Sequence, residues 1–465
     1  MAMNKVVHAA QRAAFSAAID ATINAVRGKG PENMAEQAVK LVNLAQPLLA
    51  KRYPDANWDA VRAFVSDPNS KWMQYAYRAI NEIDPHILKM NTLNLVYEGM
   101  FAGYNYVMEL REKYDCNMPW ILLFDPTSAC NLHCKGCWAA EYGNRLNLSF
   151  EDMDRIVTEG EELGIHWYMC TGGEPTCRKD LVDIIYMGRE KGFWGIEVNT
   201  NGLVIANKEG YLEDLVAAGL TGVYLSFDGL TGDVYKGTCG RDILATKLKV
   251  IERCREVGIQ VVLSVAVVSG LNDDQLGDLL RFSLENADVV AGLALQPAFT
   301  SGRFDAERAM PMSAGDVIFD LAEQSDGLLR VEDIWPLGCS NPLCDTGVFL
   351  VHGTPPEGVP AHPSGFYPAT RAMTTEEYRE GYSPDSPQGS VFLDILSKKG
   401  VEVKSGLSVI IMNYMDAISM DTQRLRECSM MVTVPDGRAI PFCSYHLTDS
   451  SGRRVYPPWC KEELR

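Results

Sequence analysis

Three cysteines stand close together in the stretch CNLHCKGC, at Cys130, Cys134 and Cys137. Thiolates ligate metals or attack electrophiles, and their number narrows the choice. Disulfides consume cysteines in pairs, and a closed structural zinc site takes four ligands. A zinc ion here would need His133 or a distant thiol as its fourth ligand, and His133 abuts Cys134 in a tight loop. Other residues able to do chemistry follow in order: Gly172, Gly173, Glu174 and Pro175 in GGEP, Asn199 and Asn201 in NTN, and Ser226 and Asp228 in SFD. The glycines let a ligand approach the backbone without Cβ interference, and the other side chains offer donors and acceptors. Any one of these motifs alone reads as a turn; nothing in zinc chemistry explains the set.

The elements that must position them are legible as an alternation. Short apolar or β-branched runs (ILLFDPT, HWYMC, GIEVNTNG, GVYLSFDG, QVVLSVAVVSG and ADVVAGLALQPAF) alternate with helical patterns such as SFEDMDRIVTEGEELG and ILATKLKVIERCREVG. Such alternation predicts right-handed βαβ units and a parallel sheet. Six units in this length suit an α/β fold, a partial (β/α)6 barrel. The unusual residues all fall at the C-terminal ends of its strands, where barrels place their chemistry.

Three thiolates on one loop can ligate three irons of a [4Fe–4S] cube, leaving one iron open, and an open coordination position marks a catalytic site. With CxxxCxxC after the first strand, GGEP after the second and SFDG after the fourth, residues 116–303 resemble the radical S-adenosylmethionine (SAM) superfamily. That resemblance implies that Cys130, Cys134 and Cys137 hold the cluster and that SAM chelates the open iron. It further implies that one electron cleaves the sulfonium bond to give a 5′-deoxyadenosyl radical. It places Gly172, Gly173, Glu174 and Pro175 at the amino group of SAM, and Asn199, Asn201, Ser226 and Asp228 at its ribose or carboxylate end. The family often has an aromatic residue just before the third cysteine; here that position is Gly136, with Trp138 directly after, so adenine is expected against backbone near Trp138.

Four more cysteines lie beyond the barrel. GCSNPLC holds Cys339 and Cys344, and Cys428 and Cys443 flank a PDG turn that reads as a hairpin. Two such pairs can complete a four-thiolate site, either an auxiliary [4Fe–4S] cluster or a single iron or zinc, with Cys460 a spare ligand. Cys116, Cys170, Cys177, Cys239 and Cys254 read as core or surface thiols. The stretch MNYMDAISMDTQRLREC followed by PDGRAIPFC resembles the C-terminal region of the archaeal tetraether synthase group and related methylase-like proteins, which carry auxiliary iron sites and act on unactivated carbon. This chain lacks their cysteine-rich N-terminal segment. Residues 1–115 are instead expected to be helical, 116–303 to form the barrel, and 304–465 to form an irregular cysteine-bearing region. Within the last, the proline-rich tract from HGTPPEGVP to GYSPDSPQGS is expected to be a loop, either a lid over the barrel mouth or a tether.

Composition limits the remaining choices. At 465 residues and 46% hydrophobic the chain can bury two or three cores. No run of about 18 apolar residues appears, and Gln11, Arg12 and Asp20 break the N-terminal stretch, so neither a membrane span nor a signal peptide is expected. A cytoplasmic location follows as an expectation, and there thirteen cysteines point to metal binding or catalysis. The net charge of −18 argues against nucleic-acid partners. The expected activity is hydrogen abstraction from an sp3 carbon, with C–C, C–S or methyl bond formation on a lipid or small molecule. SAM and a reductase, flavodoxin or ferredoxin would be its partners. Two other readings stay open: a peptide-modifying maturase with an auxiliary cluster, and a noncatalytic iron–sulfur or zinc-binding interaction protein.

Overall fold

The computed structural model describes residues 5–49, 57–94, 97–98, 104–139, 146–303, 312–337, 341–374, 377, 405–449 and 454–455. The chain divides into two units. One comprises Met1–Glu109 together with Thr158–His166 and Gly188–Trp194. Its helices are α1 (Lys5–Val26), α2 (Pro31–Leu49), α3 (Trp58–Ser66), α4 (Lys71–Glu82) and α5 (Pro85–Thr92). Sequence chemistry fixes their starts: Asn57, Ser70 and Asp84 each accept backbone N–H bonds at an N-cap, and Pro85 follows its cap where a missing N–H costs nothing. Val26, Met34, Ala35 and Met73 form a small core in this unit. Glu98 accepts a hydrogen bond from the Arg12 Nε–H and pairs with His8, while Arg12 also reaches Glu161. The unit contains no cysteine.

The other unit holds the barrel. Six strands, β1 (Ile121–Phe124), β2 (Trp167–Cys170), β3 (Gly195–Thr200), β4 (Gly222–Ser226), β5 (Gln260–Val267) and β6 (Val290–Pro297), pair in chain order, all parallel. The crossovers carry α6 (Phe150–Glu162), α7 (Leu181–Glu190), α8 (Leu203–Asn207), α9 (Tyr211–Ala218), α10 (Gly232–Cys239), α11 (Leu244–Val257) and α12 (Leu276–Glu285). This is the six-unit alternation expected from sequence. Side chains on the outward faces are fully covered, among them Val198, Leu225, Leu263 and Leu295. Each such burial contributes about 1.5–3 kcal/mol.

The C-terminal region adds to this sheet instead of standing apart from it. After β7 (Trp335–Pro336), β8 (Asp345–His352) and β9 (Phe366–Pro368), strand β10 (Ser405–Met412) pairs parallel to β6. Strand β11 (Met430–Thr433) pairs parallel to β1 on the opposite edge and forms a hairpin with β12 (Ala439–Pro441). The full order is β12-β11-β1-β2-β3-β4-β5-β6-β10-β8-β7, with β9 on β8. The PDG turn read from sequence closes the hairpin, with Gly437 at φ +83°. In the proline-rich tract the described part is anchored: β9 lies on β8, and Arg371 holds the buried Asp333 carboxylate with two hydrogen bonds. The remainder of that tract, Cys339 and Cys460 lie outside the described residues. Among the described residues no helix is long and apolar enough to cross a membrane.

Candidate functional site

The loop after β1 carries Cys130, exposed, and Cys134 and Cys137, half-buried; all three are free thiols. Neighbouring strand ends pin the loop. The Gly173 N–H donates to the Thr127 carbonyl at 2.9 Å and the Glu174 N–H to the Ala129 carbonyl at 2.8 Å. A Cβ on Gly173 would sit 2.4 Å from the Ala129 oxygen, and one on Gly172, at φ +99°, 2.7 Å from the Thr127 oxygen. Both glycines therefore admit the chain's own backbone, the start of the cysteine loop. From the far side, the segment after β6 grips the same loop. Arg303 exchanges backbone bonds with Gly136 and Cys137 and donates its Nε–H to the Cys134 carbonyl at 3.1 Å. Gly302, at φ +72°, lies where a Cβ would meet the Cys137 oxygen at 2.1 Å.

Glu174 is 1% exposed, and its carboxylate is consumed within the protein. One oxygen accepts from the Thr176 N–H, the Thr176 hydroxyl and the Thr200 hydroxyl; the other accepts from the Asn201 N–H at 2.7 Å. It ties the end of β2 to the end of β3. Pro175 is buried in the 3-10 turn that Glu174 caps. The Asn201 side chain donates to Asn131 inside the cysteine loop at 2.7 Å. Asn199 and Ser226 lie half-buried near the ends of β3 and β4. Asp228 accepts from the Ala266 N–H, joining β4 to β5. Trp138 packs edge-on against His446, with centroids 4.2 Å apart, and against Phe442 at 5.2 Å.

Charge organises the same region. Burial pushes the Cys134 thiol up to about 12, and the neighbouring Cys137, Cys239, Asp228 and Cys130 add to the rise. Three free thiols on one loop supply three of a cube's four iron ligands and leave one iron open, so the donor set fits an iron–sulfur cluster. Lys247, 1% exposed, is the buried cation of the site. Its ammonium donates to the Asn201 carbonyl at 2.8 Å; burial lowers its pKa, and Asp228, Glu174, Cys134 and Cys239 oppose the drop. Sequence reading missed Lys247 and Arg303. A signal existed for Lys247, which shares the buried face of α11 with Val250, Ile251 and Cys254 at helical spacing; Arg303 stands in no pattern.

In the C-terminal region Cys344, Cys428 and Cys443 converge from three separate segments. Burial raises Cys428 to about 11 and Cys443 to about 12; Cys344 adds to the rise at both, and Cys428 adds to that of Cys443. Donors are aimed at the sulfurs: Arg424 Nε–H at Cys344, 3.3 Å, and the Met415 N–H at Cys443, 3.4 Å. Among the described residues no three His, Cys, Asp or Glu side chains close on a point that one metal ion could occupy.

Residues 124–283 match the family model described as the radical SAM superfamily. A 7,8-dihydro-6-hydroxymethylpterin dimethyltransferase of Methanocaldococcus jannaschii is 29% identical over 382 residues, covering 69% of this chain and 75% of that protein. A probable GTP 3′,8-cyclase of Pyrococcus abyssi is 36% identical over 158 residues, 34% of this chain and 50% of its own length. Among solved structures, Streptococcus suis SuiB bound to its precursor peptide SuiA is similar at 18% identity and a TM-score of 0.44, over 60% of this chain and 58% of that one. The chain carries a radical SAM domain over residues 124–283. It is therefore an enzyme, not a noncatalytic metal-binding protein, and its cofactors are a [4Fe–4S] cluster and SAM.

Proposed function

We propose that Cys130, Cys134 and Cys137 ligate the catalytic cluster and that the enzyme forms a C–C or methyl bond on a small molecule. The observation that carries this reading is the placement of three free thiols on one loop, pinned between the ends of β2 and β6. When bound, cluster and SAM supply one-electron cleavage of the sulfonium bond and a primary carbon radical able to take hydrogen from an unactivated carbon. A reductase, flavodoxin or ferredoxin would deliver the electron. The chain's own residues do the positioning. Arg303 and Gly302 hold the loop in shape, Gly172 and Gly173 let it lie flat on the β2 end, and Glu174 fixes Asn201, whose side chain reaches into the loop. Lys247 supplies positive charge behind a site that becomes more negative on reduction.

The relative named as a pterin dimethyltransferase supports small-molecule methyl chemistry over peptide modification. The convergence of Cys344, Cys428 and Cys443, with N–H donors aimed at sulfur, supports an auxiliary cluster with Cys339 as a candidate fourth ligand. Anaerobic reconstitution followed by SAM and dithionite tests the main reading. Wild type is expected to release 5′-deoxyadenosine and Cys134→Ala to release none; formation by the variant at the wild-type rate would remove Cys134 from the cluster.

A further inference from the structure

Two segments meet at Cys130. The 3-10 turn Pro175–Cys177, which follows β2, is tied to both chain neighbours of that cysteine. On one side the Glu174 N–H, at the cap of the turn, reaches the Ala129 carbonyl at 2.8 Å. On the other, Asn131 donates its backbone N–H to the Cys177 sulfur, and its side chain accepts from Asn201, whose own N–H is held by Glu174. Cys177 thus lies beside the cysteine loop as a fourth thiol, exposed like Cys130. Cys239, which comes near Cys134, instead turns its sulfur to the carbonyls of Tyr235 and Arg241, at 3.2 and 3.4 Å. A second feature marks the same place. Tyr211, the first residue of α9, is 4% exposed, and its hydroxyl lies beside Cys177 and Glu174 with no hydrogen-bond partner among the described residues. A buried O–H left without an acceptor is destabilising, and the packing of α9 gives no reason for one here.

We propose that Cys177 is a reserve ligand for the iron that the three loop cysteines leave open, binding it while SAM is absent and yielding it when SAM arrives. The proposal rests on the reading that the loop holds a cube. A fourth thiolate completes the usual ligand set of such a cube and so guards the iron that is otherwise the easiest to lose. On binding, the Cys177 S–H bond breaks, its proton leaves to solvent and an Fe–S bond forms. When SAM displaces the sulfur, that bond breaks and the thiolate takes a proton back; no electron is exchanged. Tyr211 gains its meaning in this exchange. A neutral thiol is a weak acceptor and a thiolate ligand a strong one, so the acceptor that the buried hydroxyl lacks exists only in the iron-bound state. The Asn131 N–H already points at the same sulfur. Hydrogen bonds of this kind hold a ligating side chain in the orientation its metal needs.

Two measurements on the anaerobically reconstituted full chain test it, neither of them turnover. The first is SAM affinity by equilibrium dialysis. A ligand that must be displaced weakens apparent binding by the fraction of sites it occupies, so Cys177→Ala is expected to bind SAM about threefold to tenfold more tightly than wild type. Misfolding or a lost packing contact would weaken binding instead. The second is the growth of the three-iron electron paramagnetic resonance signal on oxidation by ferricyanide. Without SAM it should appear about tenfold to a hundredfold faster in Cys177→Ala, and faster than wild type in Tyr211→Phe, which leaves the thiol in place. With saturating SAM the three proteins should agree. Unchanged or weaker SAM binding by Cys177→Ala, or equal oxidation rates without SAM, would overturn the proposal. The cluster reading fails separately: a wild type that holds no more iron than the chain lacking Cys130, Cys134 and Cys137 would overturn both.

Discussion

Replacing Glu174 by glutamine removes one charge and almost no volume, yet the structure gives the change a large cost. Both carboxylate oxygens face backbone N–H groups, of Thr176 on one side and Asn201 on the other, and these are obligate donors. A glutamine amide must turn its own NH2 toward one of them. The better choice is the Asn201 side, which leaves one hydrogen bond lost and a buried N–H facing another donor. A charge-assisted bond contributes about 1.5–3 kcal/mol and a stranded buried donor costs about 1–3 kcal/mol, so Glu174→Gln is expected to destabilise the barrel by about 3–5 kcal/mol. At about 2–4 °C per kcal/mol, the barrel transition in scanning calorimetry of the metal-free chain should fall by roughly 6–20 °C. Thr200→Val removes a hydroxyl that donates to the same carboxylate and accepts from the Gly202 N–H, so it is expected to cost about 2 kcal/mol. A Glu174→Gln transition within about 2 °C of wild type would refute the view that this carboxylate serves the fold, and would return it to ligand binding.

Three further outcomes are expected. Gly302→Ala places a Cβ against the Cys137 carbonyl in a left-handed backbone position, so it should cost about 1–3 kcal/mol and lower iron incorporation, read as iron per chain after reconstitution; normal loading would show that the loop tolerates displacement. Replacing Cys130, Cys134 and Cys137 together should leave about four irons of about eight, by the stoichiometry of two cubes, and an iron-free product would dismiss the C-terminal cluster. For Glu197 the folded pKa lies near 7 against an ordinary 4.5, so the folded state binds the extra proton and stability falls as pH rises between those values. Glu197→Gln should accordingly match wild type near pH 4.5 and exceed it by about 3 kcal/mol at pH 8 in denaturant titrations; an unchanged difference across that range would contradict it.

The barrel was legible because its signal is local: each of the six strands is a short apolar run followed by turn chemistry and a helical stripe. The cysteine loop was legible for the same reason. What escaped depends on partners distant in sequence. Ser405–Met412 and Met430–Thr433 have strand composition, but nothing in them tells that one joins β6 and the other β1. GGEP was visible as a motif, while its glycines proved to face the Thr127–Ala129 backbone and its glutamate to face Thr200 and Asn201. Glu197 was hidden by its setting, a lone acid in GIEVNT that an exposed edge would explain equally well until Gly222 is seen beneath it.

The two C-terminal strands carry a consequence for how the enzyme is made. Ile121 pairs with Met430, and Gly292 with Ser408, so both outer edges of the six-stranded sheet wait for residues synthesised long after it. Until they arrive, β1 and β6 each present a row of unpaired backbone groups, the template on which other chains add strands. Pairings this remote in sequence also form slowly, because their loop entropy is lost before any contact repays it. The hairpin and β10 thus act as a late quality check: a chain that stops short of them keeps every cysteine of the first loop and both edges sticky. Nascent enzyme in that state calls for a chaperone before it calls for iron.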